Sequence, residues 1–368
     1  MKSVIVVGAG IWGSSLALRL AETGWRVRLV EQHVPGHVRQ ASAGETRLLR
    51  CSHGADDWYA KLAWRARDGW RRLGERAGED LYLEAGMLWF AKEPEGWEHA
   101  SAQVLGGLGI PYEVLGPDEG ARFFPGFRGD DLSFLLWEPN AGVIRARRAT
   151  QVTARLALAA GVELVRGVAA PAEGTAVRVG EEVLRADRVV WACGAWLPAL
   201  FEVPVSVTKQ DTLHFAAPAG WTTPGVPAWV DHSSSRYGHG DVDGVGLKAT
   251  SDVEGGPYDP ESGTREVDAI SEAWAREYLG RRFPALADAP VLFRQVCQYA
   301  LTPDAEWVIA EAGPGVWLLG GDSGHGFKHG PALAEYVAGV LDGDFAPEPR
   351  FGLHRRASAK GLRTSGLS

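Results

Sequence analysis

Residues 3–13 read Ser-Val-Ile-Val-Val-Gly-Ala-Gly-Ile-Trp-Gly, an apolar run that ends in a glycine-rich turn. The run has the length of a buried strand, and apolar residues within 16–21 then recur at the spacing of one helix face. Gly24 is suited to close that helix, and a second apolar run at 27–30 begins another strand. The sequence therefore predicts a strand–helix–strand unit at the start of the chain.

The glycines of this turn have the spacing of a dinucleotide-binding loop. Gly8 permits the tight turn, Gly10 lets a pyrophosphate approach the backbone, and Gly13 lets helix and strand pack closely. The following helix N-terminus offers free N–H groups to phosphates. Glu31, at the end of the second strand, is placed to accept hydrogen bonds from ribose hydroxyls, which favours FAD or NAD over NADP.

Similar patterns recur far along the chain. Helical spacing is found at 57–75 and 148–160, a short apolar strand at 188–191, and a strand followed by a helix at 316–343. Between these, the stretch 209–291 has short alternating strands and many Gly, Pro and Asp residues, with one helix from about 266 to 281. The dinucleotide-binding pattern is thus interrupted by segments of a more β-like type.

This alternation predicts an α/β protein with two domains. We expect a discontinuous Rossmann-like FAD-binding domain, and an α+β substrate domain with a mainly antiparallel sheet. The first is assigned to 1–80, 140–205 and 292–345, the second to 81–139 and 206–291, and a loose C-terminal tail to 346–368.

Composition excludes several classes of protein. The net charge of −8 makes a nucleic-acid partner unexpected, because phosphate neutralisation needs a basic face. No stretch of 18 apolar residues is present, so no membrane span is expected. The three cysteines are too scattered for a disulfide framework or a zinc site, which favours the cytoplasm and predicts no metal.

Several motifs, in order along nearly the whole chain, resemble the D-amino-acid-oxidase superfamily, and within it the monomeric sarcosine oxidase and N-methyltryptophan oxidase group. This resemblance selects FAD rather than NAD. The motifs are the glycine loop with Glu31, Ser42-Ala43-Gly44-Glu45-Thr46-Arg47-Leu48-Leu49-Arg50, Glu138-Pro139-Asn140-Ala141-Gly142-Val143, Cys193-Gly194-Ala195-Trp196, Gly246-Leu247-Lys248, Val296-Cys297-Gln298-Tyr299 with Thr302-Pro303-Asp304, and Ser323-Gly324-His325-Gly326-Phe327-Lys328.

The resemblance implies that Cys297 bonds covalently to the flavin ring. A buried free thiol is the alternative, because that is the usual state of a lone cysteine. Cys51 and Cys193 match no attachment site. Further positions implied to bind the cofactor are Thr46, Val168, Gly194, Trp196, Gly324, Gly326, Phe327 and Lys328.

Four cations carry the chemistry that the resemblance implies. Arg50 and Lys328 would hold the substrate carboxylate, and Arg suits this because its fork bonds both oxygens. Lys248 would activate oxygen as a preplaced ammonium, and Arg47 would lie near the flavin ring. The alternatives are a solvated surface lysine for Lys248, and salt bridges to neighbours such as Glu45 or Asp56 for the arginines.

Tyr237 and Tyr299 match tyrosines of the substrate pocket, and His325 lies in the glycine-rich loop beside the flavin. A tyrosine in a substrate pocket more often forms part of the pocket wall than acts as an acid–base catalyst. His325 is either a proton carrier or a part of the loop scaffold. Tyr299 and His325 are included with Lys248 and Arg47 among the candidate catalytic residues.

The activity implied is oxidation of a secondary amine, of an N-methyl or cyclic amino acid, by a monomeric enzyme. A hydride equivalent passes to flavin N5, and O2 is reduced to H2O2; the cofactor supplies the hard chemistry. The alternatives are a dehydrogenase of the same fold with another electron acceptor, an oxidase of a specialised-metabolite amine, an NAD-linked dehydrogenase, and a non-catalytic flavin-binding subunit.

Two positions depart from the family pattern. Ala43 replaces a histidine that is common there near the flavin, and Lys248 is followed by Ala249-Thr250-Ser251-Asp252 where the family supplies a pocket histidine. A carboxylate in place of an imidazole changes the charge of the pocket and thereby the preferred substrate. Trp229 is expected to narrow the pocket entrance.

Overall fold

The computed structural model describes residues 1–354. Two large sheets dominate it, one of six strands and one of eight, with two small three-stranded sheets beside them. In chain order the strands are β1 (Ser3–Val7), β2 (Arg26–Glu31), β3 (Thr46–Leu49), β4 (Tyr82–Leu83), β5 (Met87–Ala91), β6 (Glu113–Leu115), β7 (Phe134–Glu138), β8 (Gly142–Arg145), β9 (Glu163–Arg166), β10 (Ala169–Pro171), β11 (Ala176–Val179), β12 (Glu182–Arg185), β13 (Arg188–Trp191), β14 (Ser206–Phe215), β15 (Ala228–Asp231), β16 (Arg236–His239), β17 (Leu247–Ser251), β18 (Val291–Leu301), β19 (Val308–Gly313) and β20 (Val316–Gly320).

Seven α-helices accompany these strands in the described residues. No helix among residues 1–354 combines the length and apolar character needed to cross a membrane. In chain order the helices are α1 (Ile11–Glu22), α2 (Asp57–Ala77), α3 (Trp97–Leu108), α4 (Ala146–Ala159), α5 (Leu197–Leu200), α6 (Ala269–Arg282) and α7 (Gly330–Asp342).

The six-stranded sheet has the order β19-β20-β13-β1-β2-β9 and is parallel except for β19. All five residues of β1 are buried, as expected for a central strand covered on both faces. Helices α1, α4 and α7 pack against one another and cover one face with a shared apolar core. The predicted α/β class with a parallel sheet is therefore confirmed.

The eight-stranded sheet has the order β18-β14-β17-β16-β15-β5-β7-β6 and is antiparallel except for the pair β15–β5. It unites strands from 87–138 with strands from 206–301, the two segments predicted to form a substrate domain. Strand β18 pairs along its length with β14, so the predicted boundary at residue 292 falls inside a strand of this sheet.

Local signals account for both ends of helix α2. Helix α2, predicted at 57–75, begins after Asp56, whose carboxylate accepts hydrogen bonds from the N–H groups of Trp58 and Tyr59 at 3.1 and 3.2 Å. It ends at Gly78, whose positive φ of 65° suits a glycine C-cap. Strands β11 and β12 pair as an antiparallel hairpin that turns at Gly180.

The start of the predicted C-terminal tail is not loose. A short turn at Pro349–Phe351 places the Phe351 ring in the core, where it is fully buried. The Arg350 guanidinium pairs with the Asp56 carboxylate at 2.6 Å. The composition of the segment gave no sign of this contact, because a single aromatic ring among polar residues is enough to anchor the segment to the core. The rest of that segment, 355–368, lies outside the described residues.

Candidate active site

The candidate site consists of two neighbouring cavities. The larger of the two lies at the carboxyl ends of β1, β2 and β13. Ligands in open α/β sheets bind at this edge, where backbone groups point outward from the strands. The cavity encloses about 1250 Å³ of unfilled space, part of it open to solvent. Predicted site residues that line it are Gly8, Gly10, Glu31, Arg47, Val168, Gly194, Trp196, Tyr299, Gly324 and Phe327.

The glycine loop has the geometry that its sequence predicts. Gly8 has a φ of +103°, and a Cβ on it would lie 2.5 Å from the carbonyl oxygen of Ala192 on the adjoining strand. A Cβ on Gly13 would lie 1.9 Å from the carbonyl oxygen of Gly8. Only glycine allows this close approach of helix and loop, so Gly13 acts through packing rather than by lining the cavity.

Glu31 is buried at the end of β2 and holds the loop in place. Its carboxylate accepts hydrogen bonds from the N–H groups of Ala9 and His33, at 2.7 and 2.8 Å. The same side chain lines the larger cavity, so it can still meet a ribose. The carboxylate therefore has a structural contact in addition to the predicted ligand contact.

Two predicted cofactor positions lie behind the cavity wall. Gly326 packs against Trp12, whose indole N–H donates to the Gly326 carbonyl at 3.0 Å. Thr46 lines neither cavity of the candidate site; its hydroxyl is 2.7 Å from Nε2 of the buried His239. Both residues support the wall rather than face a ligand.

A second cavity adjoins the first and is lined mainly by the eight-stranded sheet. Arg47, Tyr299, Gly324 and Phe327 line both cavities, so the two meet at these side chains. Other predicted residues that line the second cavity are Arg50, Tyr237, Cys297, His325 and Lys328. The structure therefore brings the predicted substrate residues together beside the predicted cofactor site.

Cys297 lies at the junction of the two cavities, in contact with Arg47. The guanidinium Nη2 is 3.1 Å from the Cys297 Sγ and 2.7 Å from the carbonyl oxygen of Ala41. Sγ is also 3.7 Å from that carbonyl oxygen. Burial is compatible with a simple packed thiol, but the guanidinium places a cation where it can stabilise negative charge on sulfur.

Arg50 and Lys328 form a pair of cations on the second cavity. The Arg50 guanidinium lies 5.1 and 5.7 Å from the ring centres of Trp89 and Trp97, and it also donates to the Ser52 carbonyl. Lys328 is 3% exposed, and its ammonium donates to the His325 carbonyl at 2.8 Å. Both cations are thus held in position by fixed neighbours.

The carboxylates considered as alternative partners pair elsewhere. Glu45 forms an ion pair with Arg147 at 2.5 Å, and Asp56 pairs with Arg350. These contacts direct the nearby acidic side chains away from the cavity. Neither Glu45 nor Asp56 lines the two cavities.

A carboxylate and two tyrosines lie on the same cavity as the cations. The Tyr299 hydroxyl donates to the Asp252 carboxylate at 2.9 Å and is hydrogen-bonded to Tyr237. Burial, reinforced by Asp252, raises the pKa of Tyr237 to about 12. Tyr237 is therefore a neutral proton donor at physiological pH, and the Asp252 carboxylate accepts the hydrogen bond of Tyr299.

Lys248 is buried on β17 and lies just behind the cavity walls. Its ammonium is 5.2 Å from the centre of the Tyr237 ring. Burial, with the positive charge of Arg47, lowers the pKa of Lys248 to about 7. The solvated-surface alternative is therefore wrong: this lysine is 2% exposed and changes charge near neutral pH.

His325 is fixed in an aromatic group. Its ring stacks on Trp307 at 5.5 Å and meets the edge of Tyr59 at 4.8 Å. Nε2 is 3.0 Å from the carbonyl oxygen of Ala305. These contacts favour a structural role in the loop over free movement as a proton carrier.

The sequence did not reveal most of the second cavity's walls. Trp89, Trp97, His232 and Arg236 line it, but each lies in a segment whose sequence pattern carries no ligand signal. Trp229 was expected at the entrance, and that expectation is wrong. Its ring is fully buried and stacks on Tyr278 at 5.2 Å, because it points to the opposite face of the sheet from the adjacent cavity-lining Val230.

The residues at the larger cavity fit FAD. Gly8 has a φ of +103° and no room for a Cβ. Its backbone is therefore exposed to a phosphate at the N-terminus of α1. Glu31 lies toward one end, and the junction with the second cavity lies at Arg47 and Phe327. An elongated dinucleotide could therefore present a flavin ring to the second cavity.

Comparison with known proteins agrees with this arrangement. A monomeric sarcosine oxidase from Streptomyces avermitilis is 28% identical over 91% of this chain and 92% of the relative. An N-methyl-L-tryptophan oxidase from Salmonella arizonae is 25% identical over 95% of this chain and 96% of the relative.

The crystal structure of an L-proline dehydrogenase from P. horikoshii has the same fold, with a TM-score of 0.85 and 20% identity over 96% of this chain and 97% of that one. The family described as FAD dependent oxidoreductase matches residues 3–340, which supports dependence on FAD. By this match over nearly its whole length, the chain belongs to the FAD-dependent oxidoreductase family.

Proposed function

We propose that this enzyme oxidises the secondary amine of an N-methyl or cyclic amino acid and passes the electrons to O2. One observation carries the proposal: the half-buried Arg50 and the buried Lys328 line the same cavity as the Tyr299–Asp252 pair, and that cavity meets the larger one. The relatives named for sarcosine and N-methyl-L-tryptophan support the same substrate class.

Arg50 and Lys328 would bind the substrate carboxylate. A guanidinium can donate to both carboxylate oxygens, and an ammonium adds a point charge. Trp89 and Trp97 hold the Arg50 guanidinium from the side, which limits its rotation. A substrate held in this way would present its nitrogen and the adjacent carbon to the junction of the cavities.

The amine must lose its proton before a hydride equivalent can leave the neighbouring carbon. FAD supplies the two-electron acceptor for that step. Asp252 can accept the amine proton directly or through Tyr299, whose hydroxyl it already binds. Arg47 and Lys248 add positive charge that disfavours a bound ammonium, so the neutral amine is favoured in the pocket.

Lys248 would assist the oxygen step. Negative charge develops on O2 as it takes up electrons, and a buried ammonium stabilises that charge. With a pKa of about 7, the cation is present below neutral pH and is lost above it. This residue favours an oxidase over the alternative dehydrogenase, which would need no such cation.

Peroxide release tests the function. We expect H2O2 in amounts equal to the amine consumed when the purified enzyme is mixed with sarcosine, proline, pipecolate or N-methyltryptophan in air. Amine oxidation only with an added dye would instead favour the dehydrogenase. No bleaching of the flavin by any of these amines without oxygen would contradict the proposed substrate class.

We further propose that Cys297 holds FAD through a thioether bond. The 3.1 Å contact between Arg47 and Sγ supports a reactive sulfur at the junction of the cavities. Acid precipitation should leave the yellow colour in the protein pellet, and Cys297→Ala should release it to the supernatant. Cys193→Ala is the matched control and should keep the colour in the pellet. Colour released from the unmodified enzyme would reject the bond.

The cytoplasmic location and the monomeric state stay predictions. The three free cysteines of the structure support a reducing compartment. Light scattering coupled to gel filtration would measure the oligomeric state directly.

A further inference from the structure

Three histidines converge in the core next to the second cavity. We call His53, His325 and His329 the histidine cluster. They are 1%, 7% and 0% exposed, and one nitrogen from each lies within 4.8 Å of the others. They come from the loop before α2 and from the loop leading into α7, and only the fold brings them together.

Backbone carbonyls fix the tautomers of two of these rings. His53 Nδ1 is 2.9 Å from the carbonyl oxygen of Cys51, so Nδ1 carries the proton and Nε2 carries the lone pair. His325 Nε2 is 3.0 Å from the carbonyl oxygen of Ala305, which assigns the lone pair to Nδ1. Metal-bound histidines typically have this arrangement, with the remote N–H donated to a carbonyl.

The cluster also contains unsatisfied polar atoms. His53 Nε2 and both ring nitrogens of His329 are buried and make no hydrogen bond to described residues. Nearby Tyr59 cannot supply a proton, because its hydroxyl donates to Glu306 at 2.7 Å. Buried nitrogens without partners are costly, so a bound group is needed to account for them.

Burial and neighbouring cations act on the His53 and His329 rings. Burial, reinforced by Lys328, lowers the pKa of both His53 and His329 well below its usual value. The groups that face these rings are Lys328, Arg50 and the other histidines of the cluster.

We propose that the histidine cluster binds one divalent transition-metal ion of the zinc type through three imidazole nitrogens. Imidazole suits zinc, copper and nickel, whereas magnesium and calcium prefer oxygen ligands. Zinc sites with three protein ligands keep a fourth position for water or an anion. His325 also lines the second cavity, which gives an ion a path of entry.

The nearby cations limit how tightly the ion binds. Arg50 and Lys328 repel a metal ion, so the affinity is expected to lie below that of a site with acidic neighbours. The site is independent of the amine chemistry proposed above, because its occupancy is measured by metal content and not by turnover.

The test is metal analysis of untagged, flavin-loaded enzyme. After incubation with Zn²⁺ and gel filtration, we expect about one zinc per chain, and Co²⁺ should give a visible band at wavelengths beyond the flavin absorption. His329→Leu should weaken binding by more than the roughly 10- to 100-fold that loss of an outer hydrogen bond costs. His53→Gln is the second variant, in case the first fails to fold.

His214→Leu is the matched control. His214 is 2% exposed and both its nitrogens are unsatisfied, yet it belongs to no group of three metal ligands in the described residues. Its substitution should leave one zinc per chain. Failure of the unmodified enzyme to take up Zn²⁺ or Co²⁺, or equal uptake by folded His329→Leu and His53→Gln, would overturn the proposal and leave water as the occupant.

Discussion

The two cavities of the candidate site are built in different ways. The larger one is built around the backbone of a glycine loop at the ends of parallel strands, where Gly8 and Gly13 allow contacts that no side chain would permit. The second is formed by side chains such as Arg50, Asp252 and Lys328, which lie on separate segments of the chain. A backbone-built site depends on local sequence, whereas a side-chain-built site depends on how distant segments meet.

We expect the largest effect from a substitution that disrupts the glycine loop of the larger cavity. Gly13→Val places a side chain where even a Cβ would lie 1.9 Å from the Gly8 carbonyl oxygen. We expect the loop to be displaced and the purified protein to lose its flavin absorbance. Gly107→Ala, at a helical position with open space around it, is the control and should keep full flavin content. Retained flavin in Gly13→Val would show that the loop does not determine the cofactor site.

The second prediction concerns the buried lysine behind the second cavity. Lys248→Met removes the ammonium, and we expect the reaction with O2 to slow by about 10²- to 10³-fold. Reduction of the flavin by substrate without oxygen should change far less. Rapid mixing of the two half-reactions measures each rate separately, with the exposed Lys61→Met as control.

The same residue predicts a pH dependence. Because the lysine pKa is lowered to about 7, its cation is present at lower pH and disappears as pH rises through that value. The oxygen reaction of the unmodified enzyme should therefore slow with rising pH around 7, and Lys248→Met should lack this step. If Lys248→Met kept the same pH dependence of the oxygen reaction, a group other than Lys248 would be responsible for it.

We expect the smallest effect from a conservative substitution of the arginine that would bind the substrate carboxylate. Arg50→Lys keeps the charge but removes the planar fork, so one hydrogen bond to a carboxylate is lost. A charged hydrogen bond contributes roughly 1.5–3 kcal/mol, so kcat/KM should fall by about 10- to 100-fold. Arg122→Lys, on the exposed surface, is the control. An unchanged kcat/KM would remove Arg50 from the carboxylate site.

The parts of the molecule that depend on neighbours in the chain were predictable from the sequence alone. The strand–turn–helix at residues 3–22, the α/β class and the glycine loop could all be predicted, because apolar periodicity and glycine positions act locally. Family resemblance added Arg50, Lys248 and Lys328, and the structure places these cations at or beside one cavity.

Only the tertiary structure decided how distant side chains combine. It turned Thr46 toward His239, buried Trp229 in the sheet core, and fixed Phe351, part of a segment expected to be loose, in the core. It also joined His53 to His329, whose separate sequence positions give no sign of a shared site. The physical reason is that burial, pKa and ligand geometry arise from packing between segments, which local patterns do not encode.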